Sequence, residues 1–152
     1  MLDNVIQDRD FARLMQKNIQ DLLIHFFERE QNFGILCKIE NAHFDPELPE
    51  SIKVEFRALT LFFLAGYSLE TAHIVDDTLV FEAGFGAENF GSIVSVPLLS
   101  IMQVIVDETP VLINLSVYEE ELPKESQKID EDGVQNSMAS FLSNPENSKF
   151  IK

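Results

Sequence analysis

The chain of 152 residues carries a single cysteine, Cys37, so no internal disulfide can form and stability has to come from packing. It has no eighteen-residue apolar run and no basic, apolar and cleavage-site succession of an export leader. The expected compartment is therefore the cytoplasm, with no membrane partner. Basic residues are scarce: 11 Lys and Arg stand against 26 Asp and Glu, for a formal charge of −15. Such a surface repels phosphate backbones and anionic lipid, which excludes nucleic acid as an expected partner and favours neutral or cationic ones. Tryptophan is absent, yet 13 phenylalanines and a hydrophobic share of 45% suffice for the core of one domain.

The groups that catalysis or metal binding would need are sparse as well. His25, His43 and His73 fall on different elements with no Cys or His at a ligand spacing, so no metal site is expected. Cys37 alternates with Ile35 and Ile39, the pattern of a small buried hydrophobe rather than a nucleophile. GFGAENFG has glycines at 84, 86 and 91 but no Gly-Lys-Ser/Thr, and a strand follows where a phosphate loop needs a helix N-terminus. Glu119, Glu120 and Glu121 read as a solvated charge run. The chain is not read as an enzyme, and no cofactor is expected.

What is present is a strong pattern. Phe11, Leu14, Met15, Ile19, Leu22, Leu23, Phe26 and Phe27 recur at spacings of three and four, which predicts an amphipathic helix over about 10–30. Asp10 is placed to cap it, and Gly34 lies beyond its end. Such a stripe packs on the chain's own sheet, pairs with a second copy of itself, or does both. Alternation then predicts strands through Ile35, Cys37 and Ile39, and through Ile52, Val54 and Phe56, with the Pro-broken loop FDPELPE between them. Leu59 to Ala65 is apolar on both faces and suits a central strand or a short helix. Asp76-Asp77 is a turn joining Tyr67–Val75 to Thr78–Phe85 in a hairpin, with Leu79, Phe81, Ala83 and Phe85 on one side.

Ser92 to Val96 reads as another strand. Pro97 then opens a helical turn that Leu98, Ile101, Met102 and Ile105 continue at helical spacing. Val111 to Val117 is a last strand. From Glu119 on, EEELPKESQKIDEDG lacks the apolar area to offset its ordering entropy, so the folded domain is expected over 1–118 and a disordered acidic tail over 119–152. Within that tail Val134, Met138, Phe141 and Leu142 have helical spacing, which suits folding back on the domain or a separate recognition motif.

TLVFEAGFG followed by SIVSVPLLSIMQVIV resembles the stringent starvation protein B (SspB) family, adaptors that deliver tagged polypeptides to the ClpXP protease. The matching positions are Phe81, Ala83, Phe85 and Gly86, then Val94, Ser95, Val96, Pro97 and Leu98. The resemblance spans about 11–118 and is specific from about Thr78 to Val106. It implies an α+β fold, an N-terminal helix followed by a small antiparallel β-barrel or sandwich. It also implies a groove for an unstructured degradation tag, a homodimer and no chemistry of its own.

Carried onto this chain, the resemblance puts Ala83, Gly84, Phe85, Gly86, Val94 and Val96 at the groove. It puts Phe11, Leu14, Met15 and Leu22 at the dimer interface, and Lys149, Phe150, Ile151 and Lys152 at the docking peptide for a ClpX-type AAA+ unfoldase. The alternative reading of these glycines is that they mark a bulge or strand end. A tail of about thirty residues has a reach of ~30 Å, enough to hold a docked end while the body presents cargo. Two departures bear on the groove: Phe63 to Tyr67 stands where relatives carry an Asn-Ile-Ala-Pro-Arg type segment, and the loop from Ala87 to Gly91 is longer. Another class fits length and charge, an acidic dimeric secretion-type chaperone for an export substrate, but it leaves Phe150 to Lys152 and the VSVPL segment unexplained.

Overall fold

Asp8 lies in extended backbone and its carboxylate accepts a hydrogen bond from the Asp10 amide at 3.2 Å. That cap, two residues before the expected one, starts the main helix Arg9–Arg29 (α2), which follows the short helix Leu2–Ile6 (α1). The helix ends where Glu30 turns left-handed, with φ 53°, rather than on a glycine. Of the apolar stripe, Ile19, Leu23 and Phe26 are buried, at about 1.5–3 kcal/mol each. The structure is a computed structural model and describes residues 1–117.

Eight strands follow in two antiparallel sheets. The first sheet has the order β3-β1-β7-β8, formed by Phe33–Lys38 (β1), Leu59–Leu64 (β3), Ile101–Val106 (β7) and Thr109–Ile113 (β8). The second has the order β2-β6-β5-β4, formed by His43–Asp45 (β2), His73–Val75 (β4), Thr78–Phe85 (β5) and Phe90–Pro97 (β6). Short helices Glu50–Lys53 (α3) and Tyr67–Thr71 (α4) and two 3-10 turns, Ile39–Asn41 and Leu98–Ser100, link them. The α+β reading holds, but the sheets remain two separate layers and do not close into a barrel.

The core lies between the sheets and against α2. Ile35, Phe62 and Val104 are mutually in register on the inner side of the first sheet, and Leu79, Phe81, Val94 and Val96 line the inner side of the second. Phe26 meets Phe33 at 5.3 Å between ring centroids, which ties the helix to the start of β1. Cys37 is buried in this core as expected of a small hydrophobe.

Four expectations need correction. Ile52, Val54 and Phe56 do not form a strand: the fixed φ of Pro49 opens the α3 turn, closed by the Lys53 amide on the Pro49 carbonyl at 3.0 Å, and Val54 is exposed. Leu98, Ile101, Met102 and Ile105 do not form a helix. One 3-10 turn after Pro97 is followed at once by β7, because β1 needs a partner on its second edge and Ile101, Val104, Ile105 and Val106 are β-branched. Leu59–Leu64 is a strand but an edge strand, so the side bearing Leu59, Leu61 and Phe63 faces outward uncovered. Tyr67–Thr71 is helical, and only His73–Val75 forms the first arm of the predicted hairpin.

Candidate peptide groove

β2 is the edge of the second sheet and β3 the edge of the first, and residues 46–58 cross between them. Beneath this crossing the phenylalanines meet. Phe44 stacks on Phe56 with centroids 5.9 Å apart and an interplanar angle of 17°. Phe85 stands edge-on to both, at 5.7 and 5.9 Å, and Phe62 lies 6.2 Å from Phe44 and from Phe56. Offset and edge-on contacts of this kind add about 0.5–1.5 kcal/mol each beyond area burial, so the cluster is a rigid wall. The crossing segment is pinned at its start by the Ser92 hydroxyl, which donates to the Pro46 carbonyl at 2.8 Å.

Outside this wall a cavity of about 440 Å³ opens along β2. Ile39, Ala42, Phe44 and Phe56 give it an apolar floor, and Glu40, His43, Glu47 and Lys53 form its rim. Lys53 Nζ lies 2.6 Å from Glu47 Oε2, a solvent-facing pair. Its hydrogen bond and charge hold the Glu47 carboxyl below its ordinary value and raise the Lys53 ammonium. An apolar cleft beside an edge strand, in the common size range of ligand sites of about 300–1,000 Å³, suits an extended peptide.

Among the described residues no three His, Cys, Asp or Glu are grouped to hold a metal ion. Burial pushes the Cys37 thiol up to about 12, and a thiol that keeps its proton is not a nucleophile.

The residues singled out from the sequence are dispersed. Val94 and Val96 are fully buried in the core and offer a peptide no surface, because their register with Phe81 and Leu79 turns them inward. Phe85 supports the groove from behind through Phe44 and Phe56, and Ala83 packs against the core. Over Gly84 lies the Asn89 side chain, which takes the space a peptide backbone would need. Gly86 has φ 77° and opens the turn to Asn89, so its freedom serves the β5–β6 hairpin.

On α2, Leu14 is exposed, Phe11 and Met15 are half-buried, and Leu22 packs on the core, so the stripe is only partly spent within one chain. Lys149, Phe150, Ile151 and Lys152 lie outside the described residues, as does 133–143. Sequence reasoning did not place Phe44 or Phe56 at the site: Phe44 opens the Pro-broken loop FDPELPE, and Phe56 was read as part of a strand with Ile52 and Val54.

The fold and the cleft define an α+β two-sheet body with a groove along one sheet edge. No protein-family model, no curated protein and no solved structure matches the chain. Among the described residues no helix is long and apolar enough to cross a membrane.

Proposed function

We propose that the chain is a non-enzymatic, peptide-binding proteolysis adaptor of the kind its sequence resembles. The groove beside β2 holds an unstructured degradation tag, and Lys149, Phe150, Ile151 and Lys152 dock on a ClpX-type unfoldase. No bond is made or broken by the chain; delivery works by raising the local concentration of tagged substrate at the unfoldase. The observation that supports this reading is the apolar cleft along the edge of β2, floored by Phe44 and Phe56. A chain of −15 charge favours tags that are neutral or cationic outside the apolar anchor.

The test is fluorescence anisotropy of labelled, unstructured tag peptides against the purified chain. Saturable binding is expected. Phe56→Ala weakens it by about tenfold, the cost of one buried aromatic anchor at 1.4 kcal/mol per decade. Val75→Ser, at the opposite edge of the same sheet, leaves it unchanged. Thermal unfolding of each variant checks that the body is intact. Removing residues 150–152 should abolish pull-down of the unfoldase while tag binding persists. Absence of saturable binding to any tag would sink the proposal.

A further inference from the structure

Where the end of β1 meets the two 3-10 turns, a second cavity of about 200 Å³ opens, and it shares no lining residue with the groove beside β2. One wall is fixed by Asn114, which follows β8 and is 9% exposed. Its side-chain amide donates to the Leu99 and Ile101 carbonyls at 2.8 and 2.9 Å, and its Oδ1 accepts from the Ser116 amide and hydroxyl at 2.9 and 2.6 Å. The Ser100 hydroxyl donates to the Pro97 carbonyl at 2.7 Å. Both hydroxyl protons and both amide protons of this wall are therefore engaged within the chain.

Asn41 stands apart from that network. It lines the cavity from the first 3-10 turn and is only 7% exposed, yet its side-chain amide has no hydrogen-bond partner among the described residues. Buried polar side chains are paired as a rule, so an amide left open onto a cavity calls for a partner from outside the fold. Lys38, the last residue of β1, lines the same cavity and makes no ion pair among the described residues, although acidic residues outnumber basic ones 26 to 11 in the chain. The donors left for a ligand are thus the Lys38 ammonium and the Asn41 amide.

We infer that this cavity binds a carboxylate that carries a short apolar group, supplied by a free small acid or by the C-terminal end of a polypeptide. Lys38 provides the charge and Asn41 a neutral donor, while Leu99, Met102 and Val117 provide apolar lining for the rest of the ligand. That lining disfavours phosphate, which is polar on every side, and a lysine lacks the planar fork with which arginine grips it. The volume equals about seven waters at ~30 Å³ each and falls below the usual ~300–1,000 Å³ of sites for drug-sized ligands, so the bound group is small. In a chain of −15 an anion is repelled by most of the surface, and it is held where an unpaired cation and a buried donor coincide. The site is independent of the groove and of the function proposed for it.

Titration of the full, nitrogen-15-labelled chain with sodium isovalerate, followed by amide proton–nitrogen correlation spectra, tests this. Saturable shifts are expected at Asn41, its side-chain amide included, and at Ser100, Asn114 and Ser116. Isovaleramide, of the same shape without the charge, and inorganic phosphate are expected to leave these signals in place. Lys38→Gln, at an exposed position, weakens binding by about tenfold through loss of one charge-assisted hydrogen bond. Asn41→Ala weakens it too without lowering the thermal unfolding midpoint, because the amide bonds to no other described residue. Acetyl-glycyl-leucine, as the free acid and as the amide, separates the sources: an acid peptide that binds more tightly than isovalerate assigns the site to polypeptide ends, and the reverse order assigns it to free acids. The inference is overturned if neither acid gives saturable shifts at these residues, if the amides or phosphate bind as well as the acids, or if folded Lys38→Gln keeps the wild-type affinity.

Discussion

Phe44 and Phe56 show how one side chain serves fold and site together. Each fills the gap between two sheet edges and also presents part of its ring to the cleft, so rigidity of the floor follows from packing of the body. Cys37 illustrates the reverse, a chemically capable group made inert by its surroundings. Burial raises its thiol from an ordinary 9.0 to about 12, so the folded chain at pH 8 holds far less thiolate than the unfolded chain. Reaction with a disulfide reagent at pH 8, followed by absorbance, is expected to be at least about 100-fold slower before denaturation than after. Equal rates would mean that the thiol is accessible. Between 9.0 and 12 the unfolded chain loses this proton and the folded chain keeps it, so the thiol's contribution to stability is whole below 9.0 and is lost as pH rises toward 12.

Among the elements, the two tight hairpins share a device that composition conceals. Asp76-Asp77 and Asp107-Glu108 both have positive φ at each central position, 51° and 60° in the first and 51° and 66° in the second. That is the requirement of a type I′ turn, which matches strand twist and which asparagine and glycine meet with least strain. Both turns are therefore built from residues that pay a backbone penalty, and both add carboxylates to an acidic chain. Asp77→Gly is expected to stabilise the chain by about 0.5–1 kcal/mol, read as a higher urea midpoint at unchanged slope. A lower midpoint would show that Asp77 contributes more through its side chain than its backbone costs.

These turns were legible in advance only in part. Asp76-Asp77 stands out between two alternating segments, whereas Asp107-Glu108 was hidden because the residues before it match a helical spacing. The opposite error occurred at Ile52, Val54 and Phe56, where three apolar residues at period two are held in a turn that begins at Pro49. Short apolar runs satisfy both periods, and the neighbouring strand decides between them.

At the scale of the whole molecule, like charge and apolar area oppose each other. Each chain carries −15, so any contact between two copies gains from hydrophobic burial and loses to long-range repulsion. Salt screens the repulsion, with a Debye length of about 30 Å at 0.01 M falling to about 3 Å at 1 M, and leaves the apolar contact intact. A homodimer held by apolar contact, the state the resemblance implies, is therefore expected to tighten as sodium chloride rises, measured as a falling dissociation constant in sedimentation equilibrium. Weakening with salt would point to ion pairs as the main contact. The same field bears on the groove at the edge of the second sheet, and a dimer would present two grooves.

The amphipathic helix, the inward alternation of Ile35 and Cys37 and of Leu79 and Phe81, and the Asp76-Asp77 hairpin were all determined by the sequence itself. Each follows from side-chain spacing and local backbone preference, which act over a few residues. Which strands share a sheet, and hence that Leu59–Leu64 is an edge with one side bare, was decided only in three dimensions. So was the meeting of Phe44, Phe56, Phe62 and Phe85, because those rings come from β2, the crossing segment, β3 and β5, and only the stacking of two sheets brings them within 6.4 Å. Local spacing tells a side chain which way to face, and long-range pairing decides what it faces.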